Sequence, residues 1–395
     1  MTVDLELESG SLERYLVDRV LPFWLEHGRD LERGGWHLFL GPDLEPSPES
    51  DFRRCVVQSR QLYSLSLAYR HEPRTSFRSA IDESLEHLFA RFEDRDHGGW
   101  FFTTNPDGSV REDWKDPYAH AFVLLGLATC HHATGDARVL KLAQNVRSLI
   151  ETRFRAPGEA GFQARKKRDW QPIAPPPDRQ QNPHMHLLEA YCALYEGTRD
   201  RSLLDSCREI VGMLRERFID PETSTLGEFF DQDWKPLPGE EGARVEPGHH
   251  FEWTWLLYRY SALSGDESCL DLADQLYSRG IEHGLTPDGA SAVDCIDRAG
   301  NVTDPRQRVW PQTELLKALA ARWEVRGDRD ARERLGRVLE KCAVERIDPE
   351  TGAWREQIGA DGSVIDTRYY ASSVYHIALA ISELVRVTAL PTWKT

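Results

Sequence analysis

Apolar residues recur along this chain at helical spacing, in two kinds of segment that alternate. Segments of the first kind carry an apolar stripe and a charged face, as in RSLLDSCREIVGMLRERF between Arg201 and Phe218. Segments of the second kind are apolar nearly all round, as in DPYAHAFVLLGLATC between Asp116 and Cys130. The first pattern predicts a helix at the surface, and the second predicts a buried helix.

Six short glycine-containing segments lie between these helical patterns, for example GGWFFTTNPDGSV and GAWREQIGADGSV. Each has extended residues, a turn such as NPDG or GADG, and extended residues again, which predicts a short β-hairpin. The steps between their marker glycines are 64, 62, 66, 62 and 63 residues, at Gly35, Gly99, Gly161, Gly227, Gly289 and Gly352. A period this constant along the whole chain indicates a repeat architecture.

Six units of amphipathic helix, hairpin and apolar helix give twelve helices. Closure with the apolar helices inside predicts an all-α fold, an (α/α)6 barrel with short β-hairpins between helices at one mouth. No Pro/Gly/Ser-rich linker interrupts the series, since APPPDR (174–179) falls within the third hairpin segment. We therefore expect one domain over residues 1–395.

Polar side chains occur near the start of the predicted inner helices, in segments that are otherwise apolar. Charged residues are seldom buried without partners, so their recurrence at one register predicts a polar site. The inner helices begin at the same mouth, where their free N–H groups favour a polar ligand. The candidates are Arg60, His120, His184, His186, Glu189, His249, His250, Glu252, Trp310, Glu314 and His376.

Two histidines stand three residues before a glutamate, in the pairs His186–Glu189 and His249–Glu252. Residues at this spacing share a helix face, so a carboxylate can hold the imidazole in one tautomer and raise its basicity. The chain contains no H-E-x-x-H motif or other tight ligand cluster, no phosphate-cradling glycine loop and no G-x-S-x-G. We expect neither a metal nor a cofactor, although a metal held by separate helices stays an alternative.

The formal net charge of −16 argues against nucleic acid or an anionic membrane as a partner, and disfavours a highly phosphorylated substrate. The N-terminal stretch MTVDLELESG lacks the features of a signal peptide, and no apolar run is long enough for a membrane span. The seven cysteines are scattered without a C-x-x-C pair, which suits reduced thiols. We expect a cytoplasmic monomer or homodimer.

Six stretches, one on each predicted inner helix, resemble the N-acylglucosamine 2-epimerase superfamily, which includes cellobiose 2-epimerases and mannose isomerases. They are SRQLYSLSLAY, KDPYAHAFVLLGLA, NPHMHLLEAY, EPGHHFEWTWLL, VWPQTELLKAL and SSVYHIALAISEL. The resemblance implies an (α/α)6 barrel and metal-free chemistry at the aldehyde end of a sugar. It also implies His249 and His376 as the catalytic pair, with substrate contacts from Arg60, His186, Glu252, Trp310 and Glu314. The polar pattern adds His120 and Glu189 as expected substrate contacts.

Cellobiose and N-acylglucosamine epimerases carry a tryptophan shortly before the last histidine, whereas this chain has YYASSVYH. The stretch SSVYHIALAISEL is more similar to the mannose isomerase branch, which implies a neutral monosaccharide as substrate. The expected reaction is interconversion of D-mannose and D-fructose, or of D-lyxose and D-xylulose, through a cis-enediol formed by histidine acid–base catalysis. Three alternatives stay open: a sugar 2-epimerase, an inverting glycoside hydrolase that uses Glu189, Glu252 or Glu314, and a binding protein without catalysis.

Overall fold

A computed structural model describes residues 6–155, 158 and 160–394 of the chain. Its helices are α1 (Ser9–Tyr15), α2 (Leu21–His27), α3 (Cys55–His71), α4 (Thr75–Arg91), α5 (Pro117–Thr134), α6 (Ala137–Arg153), α7 (Asn182–Thr198), α8 (Ser202–Met213), α9 (Gly239–Ala243), α10 (Pro247–Ser264), α11 (Leu270–His283), α12 (Val309–Arg326), α13 (Arg329–Glu345) and α14 (Val374–Thr388). A π-helical turn, Leu16–Val20, joins α1 to α2, and another, Leu214–Phe218, extends α8. In this described part of the chain, no helix combines the length and the apolar character needed to cross a bilayer.

The helices form two concentric rings, which confirms the predicted (α/α)6 barrel. The inner ring contains α3, α5, α7, α10, α12 and α14, each in contact with the next, and α14 packs against α3 to close the ring. The outer ring contains α4, α6, α8, α11 and α13, each packed on the inner helix that precedes it, while α1 packs on α14. The short helix α9 lies outside this scheme, in the loop before α10.

Local sequence sets where an inner helix begins and ends, as α5 shows. The Asp116 side chain caps its first turn by accepting from the Ala119 N–H, and Pro117 occupies the first helical position. Gly135, with φ of 69°, ends the helix in the left-handed conformation that glycine adopts without a steric penalty. Between these ends the helix is buried from Ala119 to Cys130, as an apolar inner helix must be.

Short strands at one mouth connect each repeat to the next. They are β1 (Phe39–Leu40), β2 (Arg53–Arg54), β3 (Thr103–Thr104), β4 (Val110–Glu112), β5 (Arg179–Gln180), β6 (Phe229–Phe230), β7 (Cys295–Ile296), β8 (Val302–Asp304), β9 (Gln307–Arg308), β10 (Gln357–Ile358), β11 (Val364–Asp366) and β12 (Tyr369–Tyr370). The residues just before an inner helix pair antiparallel with the following hairpin segment, in β2–β3, β5–β6 and β9–β10. Single bridges between Lys115 and Lys166 and between Val245 and Ile296 supply two further links. The sixth link, β12–β1, joins the last repeat to the first and closes the mouth.

Three of the six predicted hairpins form two-stranded ladders, namely β3–β4, β7–β8 and β10–β11. The first and fourth segments are reduced to single bridges, Leu40 to Pro46 and Phe230 to Pro236. A proline cannot donate to a ladder, so these segments cannot extend the pairing at that residue. The third segment, GFQARKKRDWQPI, forms a single bridge in its described residues, from Lys166 to Lys115.

A buried side chain on each of the first five inner helices accepts a hydrogen bond from a backbone N–H of the hairpin segment. We call these five residues the clasp residues: Gln58, His120, His184, His250 and Gln312. The distances from the backbone nitrogen to the accepting side-chain atom range from 2.7 Å at Gln312 to 3.2 Å at His250. In the three histidines Nδ1 faces the backbone carbonyl four residues earlier, so Nδ1 carries the proton and Nε2 accepts.

The paired hairpin glycines let the backbone approach the clasp side chain. Gly99 has a φ of 75°, and a Cβ there would lie 2.8 Å from His120 Nε2. His120 was expected to contact substrate, but the structure places it in this hairpin contact, with both ring nitrogens hydrogen-bonded. Burial lowers the pKa of His120 to about 3 and that of His184 and His250 to about 4, which keeps these rings neutral.

This assignment predicts that glutamine can replace the histidine clasp. His120→Ala leaves the buried Trp100 N–H unpaired and should destabilise the protein by about 1–3 kcal/mol in urea unfolding. His120→Gln should retain most of that stability, since Gln58 and Gln312 make the same contact on α3 and α12. A folded His120→Gln variant as strongly destabilised as His120→Ala would contradict this assignment.

Candidate active site

A cavity of about 280 Å³ opens at the hairpin mouth, where the inner helices begin. Six of the nine predicted site residues line it, and seven other residues complete the wall. The predicted ones are Arg60, His186, His249, Glu252, Trp310 and His376, and the others are Tyr118, Gln180, Asn182, Glu228, Phe229, Glu246 and Arg308. Glu189 and Glu314 lie behind the wall, hydrogen-bonded to His186 and His376.

Four of the cavity side chains, those of Arg60, His186, Glu252 and His376, come from one register of the inner helices, two residues after the clasp position. On successive helices this register holds Arg60, Phe122, His186, Glu252, Glu314 and His376. The second inner helix therefore contributes an apolar ring at this register, and His120 belongs to the clasp set instead. A step of two residues turns a helical side chain by about 200°, so the two sets point in different directions.

His249 has carboxylates on its Nδ1 side. Its Nδ1 lies 2.9 Å from Glu228 Oε2 and 3.9 Å from Glu246 Oε2. Burial by itself disfavours the imidazolium, but the carboxylates of Glu228 and Glu246 outweigh it and raise the pKa of His249 to about 9. At neutral pH this ring is an imidazolium with Nδ1–H donated to Glu228.

His376 lies in the opposite electrostatic setting. Its Nδ1 is 2.7 Å from Glu314 Oε1, but Glu314 is itself paired with Lys317, whose Nζ lies 2.6 Å from Oε2. Burial, Arg60 and Lys317 lower the pKa of His376 well below its usual range. The ring is therefore neutral, and with Glu314 ionised its proton is on Nδ1 and its lone pair on Nε2.

The Trp310 ring lies close to the rings of both His249 and His376. Its centroid lies 4.8 Å from that of His249 and 6.0 Å from that of His376, with interplanar angles of 39° and 42°. An imidazolium and a neutral imidazole thus flank one indole at the cavity wall. Such a pair supplies one acid and one base at the same pH.

The third cavity histidine is held by the pair predicted from its spacing. His186 Nδ1 lies 3.2 Å from Glu189 Oε2, which also accepts the hydroxyl of Tyr375. Burial lowers the pKa of His186 to about 4 despite Glu189, so this ring is neutral as well. The other predicted pair is different, because His249 is hydrogen-bonded to Glu228 and not to Glu252.

Arg60 brings a fixed positive charge to the wall. Its Nη2 donates to the Tyr118 hydroxyl at 2.7 Å, its Nη1 donates to the Ser372 carbonyl at 3.1 Å, and its guanidinium lies 4.2 Å from the Phe122 ring centroid. Within the described residues, one buried polar atom on each of three cavity side chains has no hydrogen-bond partner: Arg60 Nε, Asn182 Oδ1 and Glu252 Oε1. Since buried polar groups are nearly always paired, these atoms favour a ligand rich in hydroxyl groups.

Glu252 differs from the other carboxyl groups that face the cavity. Burial and the neighbouring Glu314 raise its pKa well above the usual range, so it is protonated and neutral. A neutral carboxyl group can both donate and accept, which suits a sugar hydroxyl.

The described chain contains two overlapping groups of three residues that could bind a metal ion. They are His186, Glu189 and Glu252, and Glu252, Glu314 and His376. Within each group the ligand atoms lie within 4.8 Å of one another. Lys317 already supplies a positive charge to this cluster, through its contact with Glu314. We therefore do not propose a metal ion at this cluster.

Sequence reasoning missed Glu228 and Lys317. Glu228 comes from a hairpin segment, LGEFF, where a carboxylate between apolar residues was the available signal. Lys317 follows Glu314 by three residues in a helix predicted to be buried, so its charge needed a partner there.

Comparison with known proteins shows the family. The sequence model of N-acylglucosamine 2-epimerase (GlcNAc 2-epimerase) matches residues 34–380. The chain belongs to this family. A mannose-6-phosphate isomerase of Rhizobium meliloti (strain 1021) is 36% identical over 394 residues, which cover 97% of this chain and 98% of that protein.

Less similar relatives are named for other activities. A cellobiose 2-epimerase of Bacteroides fragilis is 27% identical, with 91% of this chain and 93% of that protein covered. A crystal structure of a D-mannose isomerase superimposes with a TM-score of 0.86 at 20% identity, covering 95% of this chain and 97% of that one, and shows the shared fold. The protein is a sugar isomerase or epimerase.

The electrostatic assignment of His249 can be tested directly. Glu228→Gln removes the carboxylate nearest to its Nδ1, so burial should dominate and the ring should lose its proton at a lower pH than about 9. Titration followed by NMR of the imidazole ¹⁵N nuclei measures the change. Glu240→Gln, in the exposed loop that follows, is the matched control and should leave the titration unchanged. An unaltered His249 titration in Glu228→Gln would remove Glu228 from this role.

Proposed function

We propose that this enzyme interconverts D-mannose and D-fructose by metal-free proton transfer between His376, His249 and the open-chain sugar. The observation that carries the proposal is the pair of histidines beside Trp310, one held as an imidazolium by Glu228 and the other held as a neutral imidazole by Glu314. An aldose–ketose isomerisation moves one proton from C2 to C1 and one from the C2 hydroxyl to the C1 oxygen. It needs a base for carbon and an acid for oxygen, both present at the start.

His376 is the base in this scheme. Its free Nε2 removes the C2 proton, and the Glu314 carboxylate behind Nδ1 stabilises the imidazolium that forms. His249 is the acid and protonates the aldehyde oxygen, which gives the cis-enediol. His376 then returns its proton to C1 while His249 takes the proton of the C2 hydroxyl, which leaves the ketose and restores both rings.

Arg60 stabilises the oxygen on which negative charge develops, as a preorganised cation does. Its guanidinium is held by Tyr118 and the Ser372 carbonyl, so it needs no reorganisation during the reaction. We infer that the neutral residues His186 and Glu252 bind hydroxyl groups of the sugar. Their neutrality keeps the cavity polar without adding further charge.

The size and charge of the cavity favour a neutral monosaccharide. A volume of about 280 Å³ lies at the small end of ligand pockets. Arg308, a cation in its wall, is already engaged by Asp294 at 2.9 Å and Glu246 at 3.6 Å. A phosphate would also meet the carboxylates of Glu228 and Glu246, so we infer that free mannose is preferred over mannose 6-phosphate, although one relative is named for the phosphorylated sugar.

The product test separates isomerase from epimerase. Incubation with mannose in deuterated water, followed by NMR over time, should show fructose before glucose. Glucose appearing first would favour the 2-epimerase alternative, which the similarity to a cellobiose 2-epimerase supports. Parallel incubations with mannose 6-phosphate should show lower kcat/KM than mannose, and the reverse order would contradict the proposed substrate class.

The adjacent histidines of the EPGHH segment provide a matched pair of variants. His249→Ala should lower turnover about 100-fold or more, as loss of a general acid–base does. His250→Gln keeps the clasp contact to the Leu226 N–H and should leave turnover within about threefold. Equal losses in both folded variants would show that this segment acts through structure alone.

A further inference from the structure

Lys317 is a lysine with no solvent exposure at the centre of an inner helix. Its side chain is 0% exposed, and its Nζ lies 2.6 Å from Glu314 Oε2 and 4.0 Å from the centroid of the Trp255 ring. A buried ammonium is expensive unless it is paired, so its retention here calls for a reason. Burial alone would lower the pKa of Lys317, but Glu314 and Glu189 raise it, so the side chain stays charged.

The surroundings of Lys317 are closed on the side away from the cavity. Trp255 separates it from a second cavity of about 490 Å³ at the opposite mouth of the barrel, which Trp255 and Glu189 also line. The Trp255 indole N–H donates to Glu383 at 3.1 Å, which fixes the ring in place. The ammonium therefore acts on the carboxylates of the barrel axis without competition from solvent.

The charged and titratable groups around His376 come from four other inner helices. Arg60 is on α3, His186 and Glu189 are on α7, Glu252 is on α10, and Glu314 and Lys317 are on α12. On α14 itself Tyr375 adjoins His376, with ring centroids 4.6 Å apart. Among the residues that the structure describes, Glu314 alone is hydrogen-bonded to His376 Nδ1, so its protonation state decides whether Nδ1 donates or accepts.

Two arrangements of the Glu314–His376 pair are possible, and they have opposite consequences. An ionised Glu314 accepts from Nδ1–H, which leaves the lone pair on Nε2. A protonated Glu314 would donate to Nδ1, so the neutral ring would carry its proton on Nε2 and lose its function as a base. Burial raises the pKa of Glu314 towards the second state, while Lys317 opposes that rise.

We propose that Lys317 is a positioning residue: its ammonium keeps Glu314 ionised, and Glu314 in turn holds His376 in the Nδ1–H tautomer with Nε2 free. The ammonium of Lys317 contacts Glu314 and the Trp255 ring, and it acts on His376 through the Glu314 carboxylate. The consequence for turnover rests on the proposed function, whereas the tautomer is a property of the free protein.

The experiment compares Lys317→Met with the wild type by ¹⁵N NMR of the histidine rings at neutral pH. The neutral Nδ1–H signature of His376 should be replaced by that of the Nε2–H tautomer. With mannose as substrate, kcat should fall about 10–100-fold while KM changes less than about threefold, because the lost function is that of a base. Should Lys317→Met fail to fold, Lys317→Gln removes the charge but keeps a hydrogen-bond donor, and the same shift is expected.

Lys115→Met is the matched control. Lys115 is also 0% exposed and pairs with a buried carboxylate, Asp94, at 2.7 Å, but it lies at the start of α5 among the hairpins. This variant should lose stability and leave the His376 tautomer and kcat unchanged. A folded Lys317 variant that kept the Nδ1–H tautomer would overturn the proposal whatever its turnover, and a wild type without mannose turnover would count against the proposed function alone.

Discussion

The site depends on how charge is balanced in the buried interior of the barrel. Three carboxyl groups, Glu189, Glu252 and Glu314, lie on neighbouring inner helices with at most 3% of each side chain exposed. Such a group persists as an anion only where a cation or hydrogen-bond donors offset its desolvation. Here Lys317 offsets Glu314, His186 and Tyr375 offset Glu189, and Glu252 stays protonated. This distribution leaves His376 neutral, while the separate carboxylates Glu228 and Glu246 charge His249.

Two sets of positions on the inner helices have different roles. One register holds the clasp residues, which connect helix starts to hairpin backbone and so fix the rim of the cavity. The other points into the axis and holds Arg60, His186, Glu252 and His376, while His249 and Trp310 reach the cavity from neighbouring positions. Because each repeat also pairs with the next through a strand or bridge, including β12 with β1, the rim forms a closed ring. A closed rim can keep Glu228, on a short hairpin segment, within hydrogen-bond distance of His249 on the following helix.

The repeat period and the alternation of amphipathic and apolar helices were sufficient to predict the barrel from the sequence, because both are periodic signals. The hairpins were predicted less well where Pro46 or Pro236 limits pairing, since ladder formation depends on individual N–H groups. In the site, position relative to the helix start identified Arg60, His186, His249 and His376 as neighbours. It could not separate the clasp register from the cavity register, so His120 was grouped with the wrong set. Glu228 was missed because it reaches His249 across a tertiary contact that no local spacing encodes.

The central claim is that the two histidines begin the reaction in different charge states. Neutron diffraction from crystals of the ligand-free enzyme, exchanged into deuterated buffer near neutral pH, would locate the deuterons on both rings. The account predicts deuterium on both nitrogens of His249 and on Nδ1 alone of His376. A neutral His249, or a His376 with deuterium on Nε2, would contradict it.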